Sequence, residues 1–393
     1  MPPVLRHGLV YALIYIGTGV AMPYAPVWFS HMGLTAPQIG IILATPMIGR
    51  AVAGPVAAIW ADRFKLRRTP MILFGVLAAV SYAALLLLHG FWSWLVLWFV
   101  AATALNAISP LADVLTLRQG SLFGFSYAVS RGIGSAAYIV ANVLGGVVMA
   151  RTQPAAAIVW SAVAAGACSI GGLLFLPPEP VHAPGEAPLA ATGRSSGTLA
   201  MLRDPAMLLL IAAVSLVQGA HAFFYGFSAI LWTTNGISVG LVGVLWGVSV
   251  AAEVSFFWFC EPLRRRLGPE RMIFLGAAAS AIRWTCLALS PPLWALFPLQ
   301  CLHALTFAAT FTGSLELVDR LVPRTQASAG QTLVASISFG LATGVATVAS
   351  GWLFARYGVD AYYAMAAMGG LGCICAWRLI VEMKRRGAVA SAH

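Results

Sequence analysis

Between residues 8 and 382 one pattern repeats: runs of roughly 20 residues with almost no charge, each long enough to cross the ~30 Å hydrocarbon layer of a bilayer. In lipid every backbone N–H and C=O must be satisfied by the protein itself, so such runs can be only helices or closed barrels. These runs are continuously apolar and lack the two-residue alternation of lipid-facing strands, which selects helices. Composition agrees. The 393 residues are 60% hydrophobic and 9% charged, where a soluble domain carries about a quarter charged residues. Spans fall near 8–30, 37–61, 70–89, 93–116, 126–150, 155–176, 206–231, 239–260, 272–290, 293–316, 331–355 and 360–382. The expectation is an all-α membrane protein of twelve transmembrane helices.

A formal charge of +11 raises the question of nucleic acid, and its placement answers it. With the N-terminus inside, most of the 23 basic residues fall in cytoplasmic loops, among them Arg63, Lys65, Arg67, Arg68, Arg264, Arg265, Arg266 and Arg271. The positive-inside rule accounts for the excess without a nucleic-acid partner, and it puts both termini in the cytoplasm. Cys168, Cys260, Cys286, Cys301, Cys373 and Cys375 all lie in expected spans, with no C-x-x-C pair and none in an outside loop. One Arg precedes the first apolar run and no small-residue cleavage site follows it, so that run reads as a retained helix.

One connection is long. Residues 177–203, "PPEPVHAPGEAPLAATGRSSGTLAMLR", have linker composition and separate six spans from six. The halves echo each other. "IWADRFKLRRTPMILFG" (59–75) and "FWFCEPLRRRLGPERMIFLG" (257–276) each place an acid at the membrane edge, then an Arg cluster, then the entry to the next span. "SPLADVL" (109–115) and "GSLELVD" (313–319) form a second parallel. A duplicated six-helix unit follows: a bundle over 1–176, a cytoplasmic linker over 177–204 and a second bundle over 205–393. Transporters that rock two halves around a central site are built this way.

Charges inside spans carry the most information, because an ionised side chain at a span centre costs about 2.5–3.5 kcal/mol on insertion scales and must face a partner or a wet cavity. Arg50, Asp113 and Arg131 lie in the first half; His221, Glu253, Arg283 and His303 lie in the second. They sit on stripes. Gln218, His221, Tyr225, Ser228 and Trp232 share one face of span 7; Asn106, Ser109, Asp113 and Thr116 share one of span 4. Trp246, Ser249 and Glu253 repeat this in span 8, Tyr127, Arg131, Tyr138 and Asn142 in span 5, and Tyr11, Tyr15 and Thr18 in span 1. The simplest packing turns these stripes onto one shared aqueous chamber. A buried carboxylate such as Glu253, with Arg283 on the next helix as its expected partner, can be tuned to carry a proton. His221 and His303 suit proton relay or substrate hydrogen bonding, and the alternative for each is a core histidine satisfied by a backbone carbonyl. Asp113, Glu316 and Asp319, near cytoplasmic ends, are candidates for a gate as much as for a binding site.

The loop "ADRFKLRR" (61–68) resembles the loop between helices 2 and 3 of the major facilitator superfamily, G-x-x-x-D-R-x-G-R-[KR], in a degenerate copy. Asp62, Arg63, Arg67 and Arg68 supply the charges; Ala58 stands at the first Gly and the second is missing. The resemblance implies the major facilitator fold, two pseudo-symmetric six-helix bundles, and a charge latch remade as the halves rock. "QGAHAFFYGFSAILW" (218–232), "AAEVSFFWF" (251–259), "AIRWTCLA" (281–288), "LHALTF" (302–307) and "SPLADVL" (109–115) are similar to the 3-phenylpropionate permease-like family of proton symporters. The layout also resembles lactose permease, with an acid on helix 4, Arg on 5, acid on 8, Arg on 9 and His on 10. That similarity implies Asp113 and Arg131 as a substrate-side pair and Glu253, Arg283 and His303 as the proton-coupling group. Thr306 stands where lactose permease has a second carboxylate, which leaves Glu253 as the better candidate for the protonated acid.

The expected function is secondary active transport: import of a small organic solute with protons across a bacterial inner membrane, by a chain that acts as a monomer. Deep arginines outnumber deep acids and aromatic residues line the stripes, which fits an aromatic or other carboxylate. A sugar or nucleoside importer and a proton-driven metabolite or drug exporter are the alternatives. Candidate substrate-binding residues are Tyr15, Arg50, Asn106, Asp113, Arg131, Tyr138, Gln218, His221, Tyr225 and Trp246; candidate gating residues are Asp62, Arg63, Arg67, Glu316 and Asp319. No H-E-x-x-H, Gly-rich phosphate loop or clustered nucleophile points to an enzyme or to a cofactor. Met and His residues share no span face at metal-ligand spacing.

Overall fold

The computed structural model describes residues 1–181 and 201–390; the side chain of Arg50 and the linker residues 182–200 lie outside the described residues. Among the described residues twelve long helices follow in chain order: α1 (Pro3–His31), α2 (Ala36–Ala61), α3 (Arg68–Leu87), α4 (Phe91–Phe123), α5 (Tyr127–Arg151), α6 (Ala156–Phe175), α7 (Pro205–Thr234), α8 (Val239–Phe259), α9 (Pro269–Ala288), α10 (Leu293–Leu321), α11 (327–357) and α12 (Tyr362–Ala390). By length and composition, nine helical stretches among the described residues can cross a membrane, one of them running through α11 and α12. The remaining two helices are α2, whose apolar stretch is Ala36–Gly49, and α9, whose run includes Arg271 and Arg283.

Contacts divide the chain into two compact units. The first is Met1–Leu189 with Tyr225–Gly247; the second is Ala190–Phe224 with Val248–His393. Within the first unit α1 packs against α4, α5 and α6, and α3 against α4 and α6. Within the second, α7 packs against α10, α11 and α12, and α9 against α10 and α12, which is the same pattern six helices later. Burial repeats it too. In α1 67% of the apolar window is buried and in α7 72%, against 33–44% in the other spans. A helix that is apolar all round and enclosed by neighbours is the centre of its bundle.

Helix–helix contact in lipid relies on close backbone approach, because lipid tails are as apolar as leucine. In the first unit a Cβ on Gly19 of α1 would come within 2.9 Å of the Tyr138 carbonyl of α5. Tyr24 Oη donates to the Asn142 carbonyl at 2.8 Å along the same interface. An aromatic cluster of Trp28, Phe29, Tyr82, Trp94 and Trp98 fills the other side of α1, with Trp28 and Trp94 ring centres 5.5 Å apart. In the second unit Met207, Leu210, Val214, Ile273, Leu317, Val318, Ala376 and Leu379 form the core. Asp204 caps α7 by accepting from Ala206 N at 2.8 Å, and Arg386 donates to it at 3.0 Å. That guanidinium holds the Asp204 carboxyl below its usual range.

Three features depart from the simple spans of the sequence. The basic segment after α8 is not an open loop but a short helix, Glu261–Leu267, ended by Gly268 at φ 76. Its Glu261–Arg265 pair at i,i+4 spacing supports one exposed turn, and glycine takes the left-handed stop without a Cβ clash. α7 breaks at Ala220, directly before His221. α10 and α11 each contain a π-helical turn, Ala304–Ala309 and Ala335–Ala342, a form that occurs mostly as single turns at functional sites.

Neighbouring glycines of α12 test the packing. A Cβ on Gly369 would lie 2.6 Å from the Ala281 backbone nitrogen of α9, whereas one on Gly370 meets nothing within 4 Å. Gly369→Ala is expected to destabilise the protein by about 1–3 kcal/mol through overpacking, read as a lower thermal midpoint in detergent. Gly370→Ala should leave the midpoint unchanged or raise it.

Candidate functional site

In the first unit three helices bring one carboxylate, one guanidinium and three phenols together. Tyr11 of α1 donates to Asp113 Oδ1 of α4 at 2.6 Å, and Tyr127 of α5 donates to the same oxygen at 3.0 Å. Arg131, one turn along α5 from Tyr127, places Nε 3.8 Å from it. The Arg131 guanidinium carbon stands 4.4 Å from the Tyr15 ring centre and 5.4 Å from that of Tyr11. Tyr15 is tied to Ser109 of α4 at 3.3 Å and meets the Tyr138 ring edge-on. Arg131 and Asp113 keep 34% and 30% of their side chains exposed, so the pair is accessible rather than sealed. A planar cation flanked by phenol faces is suited to a carboxylate carrying an apolar or aromatic body. Asn106, two turns up the α4 stripe from Asp113, is exposed.

In the second unit the polar groups are buried and run in a connected chain. Arg283 of α9 is fully buried. It donates to Gln300 Oε1 at 2.7 Å, to His303 Nδ1 at 3.2 Å and to Thr306 Oγ1 at 3.3 Å, all three on α10. Ser249 of α8 donates to the same Gln300 oxygen at 2.8 Å. Thr306 and His221 Nε2 lie 2.9 Å apart, while His221 Nδ1 is 2.9 Å from the Val217 carbonyl of its own helix. A carbonyl only accepts, so His221 carries its proton on Nδ1 and takes one hydrogen bond from Thr306. The histidine of the α7 stripe is thus satisfied by a backbone carbonyl and fully buried, a supporting member of the wall behind Arg283. The sequence points to Arg283 as the partner of Glu253; the contact observed is Glu253 Oε2 to His303 Nε2 at 3.5 Å, with 21% of the Glu253 side chain exposed. His303 also stacks on Phe307, ring centres 5.3 Å apart.

Gln218 is buried in the second unit. Tyr225 and Trp246, whose rings lie 5.9 Å apart, belong to the first unit, so the α7 and α8 stripes are each divided between the units. Asp62 and Arg63 are exposed. Arg67 meets an acid that the sequence had left in the linker: Glu179, 3.7 Å from Arg67 and 2.7 Å from Arg118, which also accepts from Gln119. The chain after α6 folds back on the α2–α3 loop, with Arg67 N donating to Glu179 O at 2.9 Å and Val181 N to Lys65 O at 3.0 Å. Asp319 accepts from Gln331 at 2.9 Å and is exposed; Glu316 is half-buried. Gln300, Thr306 and Glu179 were missed as site residues. Gln300 stood three residues from His303 on the same face, the one signal that could have found it.

The model of the MFS_1-like family matches residues 5–365. The chain belongs to that family. The probable 3-phenylpropionic acid transporter of Escherichia coli (strain K12) is 27% identical over 91% of this chain and 93% of its own length. The maltose permease of Geobacillus stearothermophilus is also 27% identical, over 90% of this chain and 89% of its own length. Among solved structures, nucleoside transporter NupG superposes with TM-score 0.84 at 14% identity, covering 98% of this chain and all of that one. A bacterial homologue of the lysosomal transporter Spinster gives TM-score 0.71 at 15% identity, over 97% of this chain and 96% of that one. The MFS_1-like chain is therefore a multi-pass membrane protein with the major facilitator fold, a transporter of small molecules and not an enzyme.

Glu179 gathers donors from two separate stretches of chain, and truncating it leaves Arg118 and Gln119 without this acceptor. Glu179→Ala is expected to cost about 1.5–3 kcal/mol, the range for hydrogen bonds to a charged group. Glu261→Ala, which breaks the exposed pair with Arg265, should shift the thermal midpoint by no more than the equivalent of about 0.5 kcal/mol.

Proposed function

We propose that this MFS_1-like protein imports a small carboxylate, aromatic or otherwise, together with protons across a bacterial inner membrane, with both termini in the cytoplasm. One observation carries the substrate class: Arg131 is partly exposed, held between the Tyr15 and Tyr11 rings beside Asp113. The guanidinium presents paired N–H donors to a carboxylate while the phenol faces accept the ring or chain attached to it. Asp113 keeps Arg131 in place when no substrate is bound and yields to the incoming anion. The MFS_1-like relative named for 3-phenylpropionic acid supports this choice. Coupling is assigned to Glu253, a carboxylate within a span, facing His303 beside Arg283. Loaded with a proton on the outside, Glu253 is neutral while the substrate binds; after substrate release inside it returns to the carboxylate. Candidates Arg50, Asn106, Tyr138, Gln218, Tyr225 and Trp246 are assigned to the substrate path, and Asp62, Arg63, Arg67, Glu316 and Asp319 to its gate.

A second reading, a sugar importer, is favoured by one observation: the maltose permease relative matches at the same 27% identity. Asp113, already the acceptor for two tyrosine hydroxyls, would then accept sugar hydroxyls.

Purified protein in liposomes decides between them. Proton influx on adding aromatic acids, and none with sugars or nucleosides, is the expected result; flux with maltose alone would sink the carboxylate assignment. Glu253→Gln should abolish accumulation driven by a pH gradient and leave exchange of labelled substrate intact. Loss of both would move Glu253 into binding. Arg131→Met should raise the half-saturation concentration for exchange about 10- to 100-fold, the loss of a charge-assisted hydrogen bond worth roughly 1.5–3 kcal/mol.

A further inference from the structure

The hydrogen-bond directions around His303 can be assigned from the heavy atoms alone. A guanidinium has only donors, so the contact of 3.2 Å from Arg283 to His303 Nδ1 requires that nitrogen to be bare. Neutral imidazole then carries its single proton on Nε2, the atom that faces Glu253 Oε2 at 3.5 Å. Arg283 itself is held against this geometry by Gln300, whose oxygen is also fixed by Ser249, and by Thr306, whose hydroxyl proton is directed to His221 Nε2. Among the described residues, charged and titratable groups that meet His303 include Glu253 from α8, Arg283 from α9 and His221 from α7, its ring 5.3 Å away. A second proton on His303 would have to enter at Nδ1, against the guanidinium.

We propose that Arg283, positioned by Gln300 and Thr306, locks His303 as a neutral Nε2–H donor towards Glu253, so that Glu253 alone is the proton-carrying group and His303 is a positioning residue. This rests on the proton-coupled reading above and assigns the parts within it. Gln300 and Thr306 become determinants of coupling although neither ionises. The proton enters and leaves at a Glu253 carboxyl oxygen. His303 offers a hydrogen bond to the carboxylate and withholds it from neither state by titrating.

The test is nitrogen NMR on the full-length protein labelled with ¹⁵N-histidine in lipid bilayers, the His303 signals being identified by their loss in His303→Gln. The expected spectrum has one protonated and one bare nitrogen, Nε2 being protonated, unchanged between about pH 5 and 8, the range in which histidine ordinarily changes charge. Conversion to imidazolium within that range, or a proton on Nδ1, overturns the proposal. Arg283→Met should release the lock, and His303 should then titrate; a still-silent His303 would show that Arg283 is not the cause. In transport, His303→Gln keeps an N–H donor without a titrating group and should retain the midpoint of the pH profile of driven uptake, while His303→Leu loses coupling. A shifted midpoint in His303→Gln makes His303 a carrier and sinks the assignment. If the tautomer is locked but substrate evokes no proton flux in the unmodified protein, the coupled reading fails instead, and the two failures are told apart.

Discussion

A guanidinium that solvent does not reach governs the second unit. Burying a cation within a span is worth several kcal/mol of penalty unless hydrogen bonds replace its water. Arg283 meets that demand with neutral oxygens and a ring nitrogen: Gln300, Thr306 and His303, on successive turns of α10. The direction of every bond follows from the fact that arginine cannot accept one. His303 is turned to show its N–H to Glu253, Thr306 is turned to His221, and His221 ends the chain on the Val217 carbonyl. The first unit solves the same problem differently. Arg131 keeps a third of its surface and is balanced by Asp113 and by tyrosine rings. One arginine is closed and one is open, and the coupling and binding roles proposed above follow that difference.

How far the sequence carried depends on what kind of force placed each group. Spans were legible because a run of apolar residues has no other use at that length. The echoes between the halves suggested a repeat, and the packing of α1 with α4, α5 and α6 recurs in that of α7 with α10, α11 and α12. Asp113, Arg131, Glu253, Arg283 and His303 stood out because charge inside lipid is expensive. Gln300 and Thr306 did not, since a neutral polar residue in a span is cheap enough to occur anywhere. Their importance comes from Arg283, on another helix, and pairing between helices is not written in either one. Glu179 lay in what looked like linker, where only tertiary contact could show that it belongs with Arg67 and Arg118.

Backbone irregularity was illegible for a different reason. The turns 304–309 and 335–342 carry no proline, and π-helical geometry has no strong residue preference to announce it. His303 is the last residue before the first of these turns and Thr306 lies within it, so the register of α10 changes inside the polar network. The stripes at three- and four-residue spacing assume a uniform α-helix throughout, and that of α7 is interrupted at Ala220, between Gln218 and His221. That assumption holds for α4 and α5 and fails in α10.

The Glu179 junction has a mechanical side. Arg118 is in α4 only five residues beyond Asp113, which is about 7.5 Å of helix rise, and a helix over so short a length behaves as a strut. The α2–α3 loop, the chain leaving α6 and the lower part of α4 are fastened at one carboxylate. A displacement of that junction would be carried along this short stretch of α4 towards Asp113 and its half-exposed pairing with Arg131.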